Sequence, residues 1–127
     1  DWSSDVCSSD LKAQVKSTML LQTDTTAAGQ PIRYLPTDKP EVTVRIVEIP
    51  PGGETGWHTH PVPGYGYILS GQLTLEVEGK KTLTFDSGQA VIESVDLLHN
   101  GKNLGTKPLK ILAFFTGEAG KPHTIKK

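Results

Sequence analysis

Cysteine is all but missing from this sequence: the 127 residues hold one, Cys7. A lone thiol closes no intrachain disulfide, so packing must hold the fold together. Long apolar runs are missing too; none approaches the roughly 20 residues that a membrane-spanning helix needs. Net charge is scarce, at −1 from 13 basic and 14 acidic residues mixed along the chain. That balance offers neither a nucleic-acid stripe nor a polybasic membrane patch. No segment carries the apolar period of a three-turn amphipathic helix. There is no nucleophile elbow or phosphate loop, and Gly52-Gly53 lacks the helix that would follow a phosphate-binding turn. Neither a nucleic-acid partner nor a membrane is therefore expected.

The length suits one domain. Residues 1–11 read differently from the rest, nearly repeating Ser-Ser-Asp with neither helix nor strand period. They are read as a non-native leader, the translation of sequencing-adapter read-through, and are set aside from fold reasoning. An ordinary disordered leader is the alternative. Cys7 lies inside this stretch, so the remainder has no thiol chemistry. A signal peptide would lie upstream of it, so the compartment stays open between bacterial cytoplasm and periplasm.

What the rest contains is strand pattern. Residues 41–49 alternate, with Val42, Val44 and Ile46 on one side and Thr43 and Arg45 on the other. Leu73, Leu75 and Val77 alternate with Thr74, Glu76 and Glu78, and Leu83 and Phe85 with Thr82 and Thr84. Leu109, Ile111, Ala113 and Phe115 share one face. Period-two patterns of this kind predict half-buried strands with the apolar side inward. Turn signals separate them: Pro50-Pro51-Gly52-Gly53, Ser70-Gly71, Glu78-Gly79-Lys80, Asp86-Ser87-Gly88 and Asn100-Gly101. Residues 12–40 are expected to form an N-terminal strand at Val15–Gln22, able to pair with a neighbour and cover an edge, followed by a polar and then proline-rich arm. Residues 41–117 form the core, and residues 118–127 are a tail that runs along the surface or frays. Many short strands with Gly/Pro turns imply a β-sandwich or closed barrel.

The chemistry lies in histidine. His58 and His60 are two apart in a predicted strand, so both imidazoles face one point. Gly52, His58, His60 and Gly71 then fit a known spacing: Gly, five residues, His, one, His, three, Glu, six, Gly. Gly88, His99 and Asn103 fit a second: Gly, five, Pro, one, Gly, two, His, three, Asn. On these motifs the stretch from Glu41 to Gly117 resembles the cupins, specifically a group of small stand-alone bacterial cupin-domain proteins. The resemblance implies an all-β fold, a cupin jelly-roll (double-stranded β-helix) barrel in a single domain. It implies one divalent metal ion on His58, His60 and His99, with Fe, Mn, Zn, Ni and Cu not distinguished by ligand type. It also implies a homodimer.

Three positions depart from the pattern. The motif Glu is Gly64, and Ser94 and Asp96 replace the second motif's Pro and Gly. The latter two are expected to alter only the shape of a turn. Gly64 removes a carboxylate and leaves a three-histidine set, similar to some cupin dioxygenases and to open three-histidine zinc sites. A decayed, metal-free site is the alternative. Glu93 is a candidate replacement ligand, or else a carboxylate outside the ligand set. Tyr65 and Tyr67 flank the barrel mouth in the family layout and are candidates for a ligand pocket, with Tyr67 more in keeping with the core. Trp57 is expected in packing, Asn103 as a turn tie, and His123 as a solvated tail residue. Two functions follow: a metal-dependent oxygenase, isomerase or lyase acting on a small organic molecule, or a non-catalytic ligand-binding module.

Overall fold

The computed structural model describes residues 13–127, so the leader at residues 1–11 and Cys7 lie outside the described residues. The chain runs through nine strands: β1 (Pro40–Ile49), β2 (His58–Thr59), β3 (Gly64–Ser70), β4 (Gln72–Val77), β5 (Leu83–Asp86), β6 (Ala90–Ile92), β7 (His99–Lys102), β8 (Leu109–Glu118) and β9 (Ile125–Lys126). No helix occurs among the described residues. The strands form two antiparallel sheets, ordered β1-β8-β3-β6 and β5-β4-β7-β2-β9. This is a jelly-roll arrangement. The expected closed barrel is not drawn by the hydrogen bonding, since the pairings fall into two separate sheets.

Between the sheets lie Ile49, Ile68, Leu73, Leu75, Val77 and Leu109, all buried. The apolar sides of β4 and β8 therefore face inward as expected, because alternation places every second residue on one face. A sharp turn joins β3 to β4 at Gly71, with φ of 80°; a Cβ there would sit 2.8 Å from the Pro108 carbonyl oxygen, so only glycine fits.

β1 reverses the expected phase. Val42, Val44 and Ile46 face outward at 60%, 53% and 53% exposure, while Val47 and Ile49 join the core. The reason is register: Arg45 pairs with Ala113 and Thr43 with Phe115, on the inner face of β8, at the open end of the sheets. Polar residues stand there because that end is not filled with aliphatic side chains.

The N-terminal arm is not a strand over Val15–Gln22, and Met19 is 72% exposed. Among the described residues the arm makes one backbone hydrogen bond to β6, from Ala27 N–H to the Ile92 carbonyl at 2.8 Å. The tail is also not frayed. β9 pairs with β2, matching His58 with Lys126 and Thr59 with Ile125.

Asn103 ties the turn before β8 as expected. It is fully buried; its amide donates to the carbonyls of Ile49 (2.9 Å) and Lys107 (2.7 Å) and accepts from Gly105 N–H (3.0 Å). Asn103→Ala removes three hydrogen bonds to the backbone, one of them from the buried Ile49 carbonyl, and leaves a gap where a fully buried side chain stood. It should cost about 2–4 kcal/mol, and a thermal melt should show a fall of roughly 10 °C. A melt unchanged within error would contradict this role.

Candidate metal centre

His58 and His99 are direct cross-strand partners on β2 and β7, and His60 follows two residues after His58. The three rings meet with centroids 4.3–4.8 Å apart, and one nitrogen from each lies within 4.8 Å of the others. All three are buried, at 7%, 3% and 1% exposure.

The tautomers follow from the partners, since a carbonyl oxygen only accepts. His58 Nδ1 faces the Gly56 carbonyl at 2.7 Å, His60 Nδ1 the His123 carbonyl at 3.0 Å, and His99 Nδ1 the Leu97 carbonyl at 2.9 Å. Each ring therefore donates through Nδ1–H and presents a bare Nε2 lone pair. Carbonyls that fix Nδ1 in this way are what orient imidazole ligands around metals. His99 Nε2 is the one buried side-chain nitrogen or oxygen among the described residues with no hydrogen-bond partner. Such an atom carries a desolvation cost that a metal ion removes.

Ser94 does more than shape a turn. It is buried, and its Oγ lies 3.2 Å from His99 Nδ1, so it adds a second contact to that ring. Asp96 does occupy the glycine conformation, with φ of 58°, and its N–H donates to the His60 carbonyl at 2.9 Å.

Glu93 enters the same point. Its Oε2 lies 3.1 Å from His60 Nε2 and 3.9 Å from His99 Nε2. A carboxylate facing a lone pair at 3.1 Å is repulsive unless a cation stands between them, either a proton or a metal ion. Ligands about 2.1 Å from one ion stand roughly 3.0–3.4 Å from each other, so the His60–Glu93 spacing suits a shared ion. Gly64 makes room for this carboxylate. A Cβ at position 64 would lie 2.9 Å and 3.0 Å from Phe115 ring carbons and 3.2 Å from Glu93 Cγ. The Glu93 side chain thus runs over the space left by the missing motif side chain, from the neighbouring chain segment: Glu93 N–H donates to the Gly64 carbonyl at 2.9 Å.

Sequence reasoning missed the residues that hold these groups in place. Gln30 clasps Val95 from both sides, donating to its carbonyl (2.7 Å) and accepting its N–H (3.0 Å). With the Ala27–Ile92 bond, the arm grips the chain on either side of Glu93. His123 is half-buried and packed, not a free tail residue. It stacks on Phe115 at 4.2 Å and 9°, and Phe115 in turn lies 5.0 Å from His60. Thr124 Oγ1 lies 3.1 Å from His60 Nδ1, so the tail orients His60 twice. Only the strand pairing of β9 with β2 brings these residues in, and no local motif marks it.

Burial drives the electrostatics. It lowers His58 from 6.5 to about 4, against the opposing bond to the Gly56 carbonyl, and it lowers His99 as well. For Glu93, burial pushes upward. A proton shared at His60 Nε2 in the metal-free chain, and the charge that the three histidines carry when protonated, outweigh it, so Glu93 titrates below its ordinary value. His58 and His99 are therefore neutral and Glu93 ionised near pH 7, the protonation states that bind metal. A histidine lowered in the fold contributes stability that is intact above its unfolded value of 6.5 and is lost as pH falls toward about 4, because the unfolded chain takes up the proton first. Chelator-treated protein should therefore unfold at lower urea concentration across that window. The loss from His58 is on the order of 3 kcal/mol; a flat profile would contradict it.

The histidines open onto a cavity of about 170 Å³. Its walls are largely apolar (Val47, Leu73, Leu75, Ile111, Ala113 and Phe115), with Arg45, Glu93, His123 and Lys126 among the polar groups. Tyr65 and Tyr67 do not line it. They pair with Phe114 and Leu112 on the outer face of the sheet, and Tyr65 bonds instead to Thr116 Oγ1 at 3.0 Å. Strand parity, with Gly64 and Gly66 inward, turns both tyrosines away. Trp57 is likewise absent from the lining.

Comparison with known proteins follows the same lines. No curated protein matches the chain significantly. Among solved structures, DMSP lyase DddQ from Ruegeria pomeroyi is 20% identical at a TM-score of 0.59, over 68% of this chain and 43% of its own. An oxalate decarboxylase from Lactobacillus farciminis, in a formate complex, is 27% identical at 0.59, over 67% of this chain and 26% of its own. A cupin-like protein from Thermotoga maritima is 21% identical at 0.62, over 68% and 64%. This chain thus spans less than half the length of the lyase and the decarboxylase. The cupin domain family matches residues 45–115, more than half of the sequence. The chain belongs to the cupin domain family.

Proposed function

We propose that this cupin is a metal-dependent enzyme acting on a small organic molecule, with the ion held by His58, His60, His99 and Glu93. The observation that carries it is the convergence of bare, carbonyl-fixed Nε2 atoms with an ionised carboxylate at the end of an open cavity. A divalent ion there supplies Lewis acidity to a bound carbonyl or carboxylate. The chain does the rest. The Gly56, His123 and Leu97 carbonyls hold the ligand lone pairs on one point, and the apolar walls leave the substrate's polar groups no partner but the centre and the rim.

With Glu93 in the ligand set, the centre is no longer the three-histidine kind that the loss at Gly64 implied. The reading therefore moves from dioxygenase-like chemistry toward a lyase, decarboxylase or isomerase. The decarboxylase and lyase relatives favour the same classes, and a cavity not filled by its own side chains favours catalysis over a purely structural role. The test is turnover by protein loaded in turn with Fe, Mn, Zn, Ni and Cu, incubated with a panel of small organic acids and followed by mass spectrometry. Loss of carbon dioxide, elimination or isomerisation is expected, and it should stop on chelation. Metal-loaded protein that binds panel members but converts none would favour the binding module.

A further inference from the structure

We infer that the rim of the cavity is an anion subsite, built by Arg45 and Lys126, and that the molecule it admits is a small carboxylate with an apolar body. The inference rests on the metal centre proposed above and names its ligand class. Arg45 points inward from β1 beside Ala113, and Lys126 reaches the same cavity from β9 opposite His58. Glu93 is the only acid in the lining among the described residues. With Glu93 committed to the ion, the cavity carries an uncompensated positive charge from the metal and two fixed cations. A pocket of one sign with apolar walls focuses that field and concentrates the opposite ion.

Neither cation is spent on a protein carboxylate among the described residues. Lys126 Nζ donates once, to the Thr55 carbonyl at 2.8 Å, and keeps two hydrogens for a ligand. Arg45 Nε donates to His123 Nε2 at 3.4 Å, which leaves the terminal guanidinium nitrogens for a bidentate carboxylate. His123 Nε2 can accept that bond with the ring hydrogen on Nδ1, where Thr124 Oγ1 sits 2.6 Å away to take it. The stack on Phe115 fixes the ring, so the tail holds Arg45 toward the opening. Below the rim, Ile111, Ala113 and Phe115 offer a surface only for apolar groups. The volume admits a molecule of a few heavy atoms, well under the drug-sized range of about 300–1,000 Å³.

The test is calorimetric titration of zinc-loaded full-length protein with butyrate and with butyramide, which match in shape and differ in charge. Butyrate should bind at least about tenfold more tightly, the low end for a charge-assisted hydrogen bond. Arg45→Gln and Lys126→Gln should each erase most of that preference, while zinc stays at about one per chain. Equal affinity for the two probes, no butyrate binding, or a preference unchanged in both variants would overturn the subsite. Failure of the parent to hold zinc would instead overturn the metal centre, and with it the ligand class inferred here.

Discussion

Replacing His99 with alanine should empty the metal site and leave a folded protein. In the parent, elemental analysis after competition with a chelator should give about one ion per chain; in His99→Ala it should fall below about a tenth, because the loss of one ligand in four weakens the hold on the ion enough for the chelator to win. The fold should survive, because the deleted side chain carries the one buried nitrogen without a partner among the described residues of the metal-free chain. The variant does lose the donor to the Leu97 carbonyl and the contact to Ser94, so the metal-free form should be somewhat weaker, not unfolded. His58→Ala should behave alike, since His58 faces His99 across the same pair of strands. Added metal should raise the melting temperature of the parent and of neither variant, because only an ion that binds the native state stabilises it. Retained stoichiometric metal in both variants would remove the histidines from the centre.

The second large effect concerns Glu93 and Gly64 together. Glu93→Ala should weaken metal binding by at least about 10–100-fold, the range seen even for groups that only support ligands. Gly64→Glu alone should be destabilising by about 1–3 kcal/mol through overpacking, because its Cβ meets both Phe115 and the Glu93 side chain. The two changes combined should be better than their sum. Removing Glu93 Cγ relieves one of the clashes, and the glutamate introduced by Gly64→Glu offers a carboxylate from the position the family motif uses. A competition titration with a metal chelator reads both effects. Additive losses in the double variant would mean that the two positions are independent, and an unchanged affinity in Glu93→Ala would place that carboxylate outside the ligand set.

The legible and illegible parts of this protein divide along physical lines. His58 and His60 were readable because residues two apart in a strand share a face, and His99 and Asn103 because they fit the spacing of the second cupin motif. β4 and β8 were readable because both bury one face against a continuous apolar core. β1 carries as clean an alternation, yet its apolar side points outward. Period two reveals that two faces differ but not which one is inside, and near the cavity mouth the inner face is polar. Glu93 was a candidate without a direction, because its orientation depends on the absence of a Cβ at Gly64 and on the clasp between Gln30 and Val95, 65 residues apart. His123 and Thr124 were missed for a related reason. The tail looks like loose Gly/Pro/Lys sequence until two residues of β9 pair with β2.

The centre we propose is one ion bound by three imidazoles and one carboxylate. X-ray absorption at the metal edge of the loaded protein addresses that directly. The structure predicts three imidazole nitrogens with their outer-ring scattering, together with one carboxylate oxygen, all at about 2.0–2.2 Å. The oxygen should be lost in Glu93→Ala. A spectrum with no imidazole scattering, or one that Glu93→Ala leaves unchanged, would contradict the centre described above.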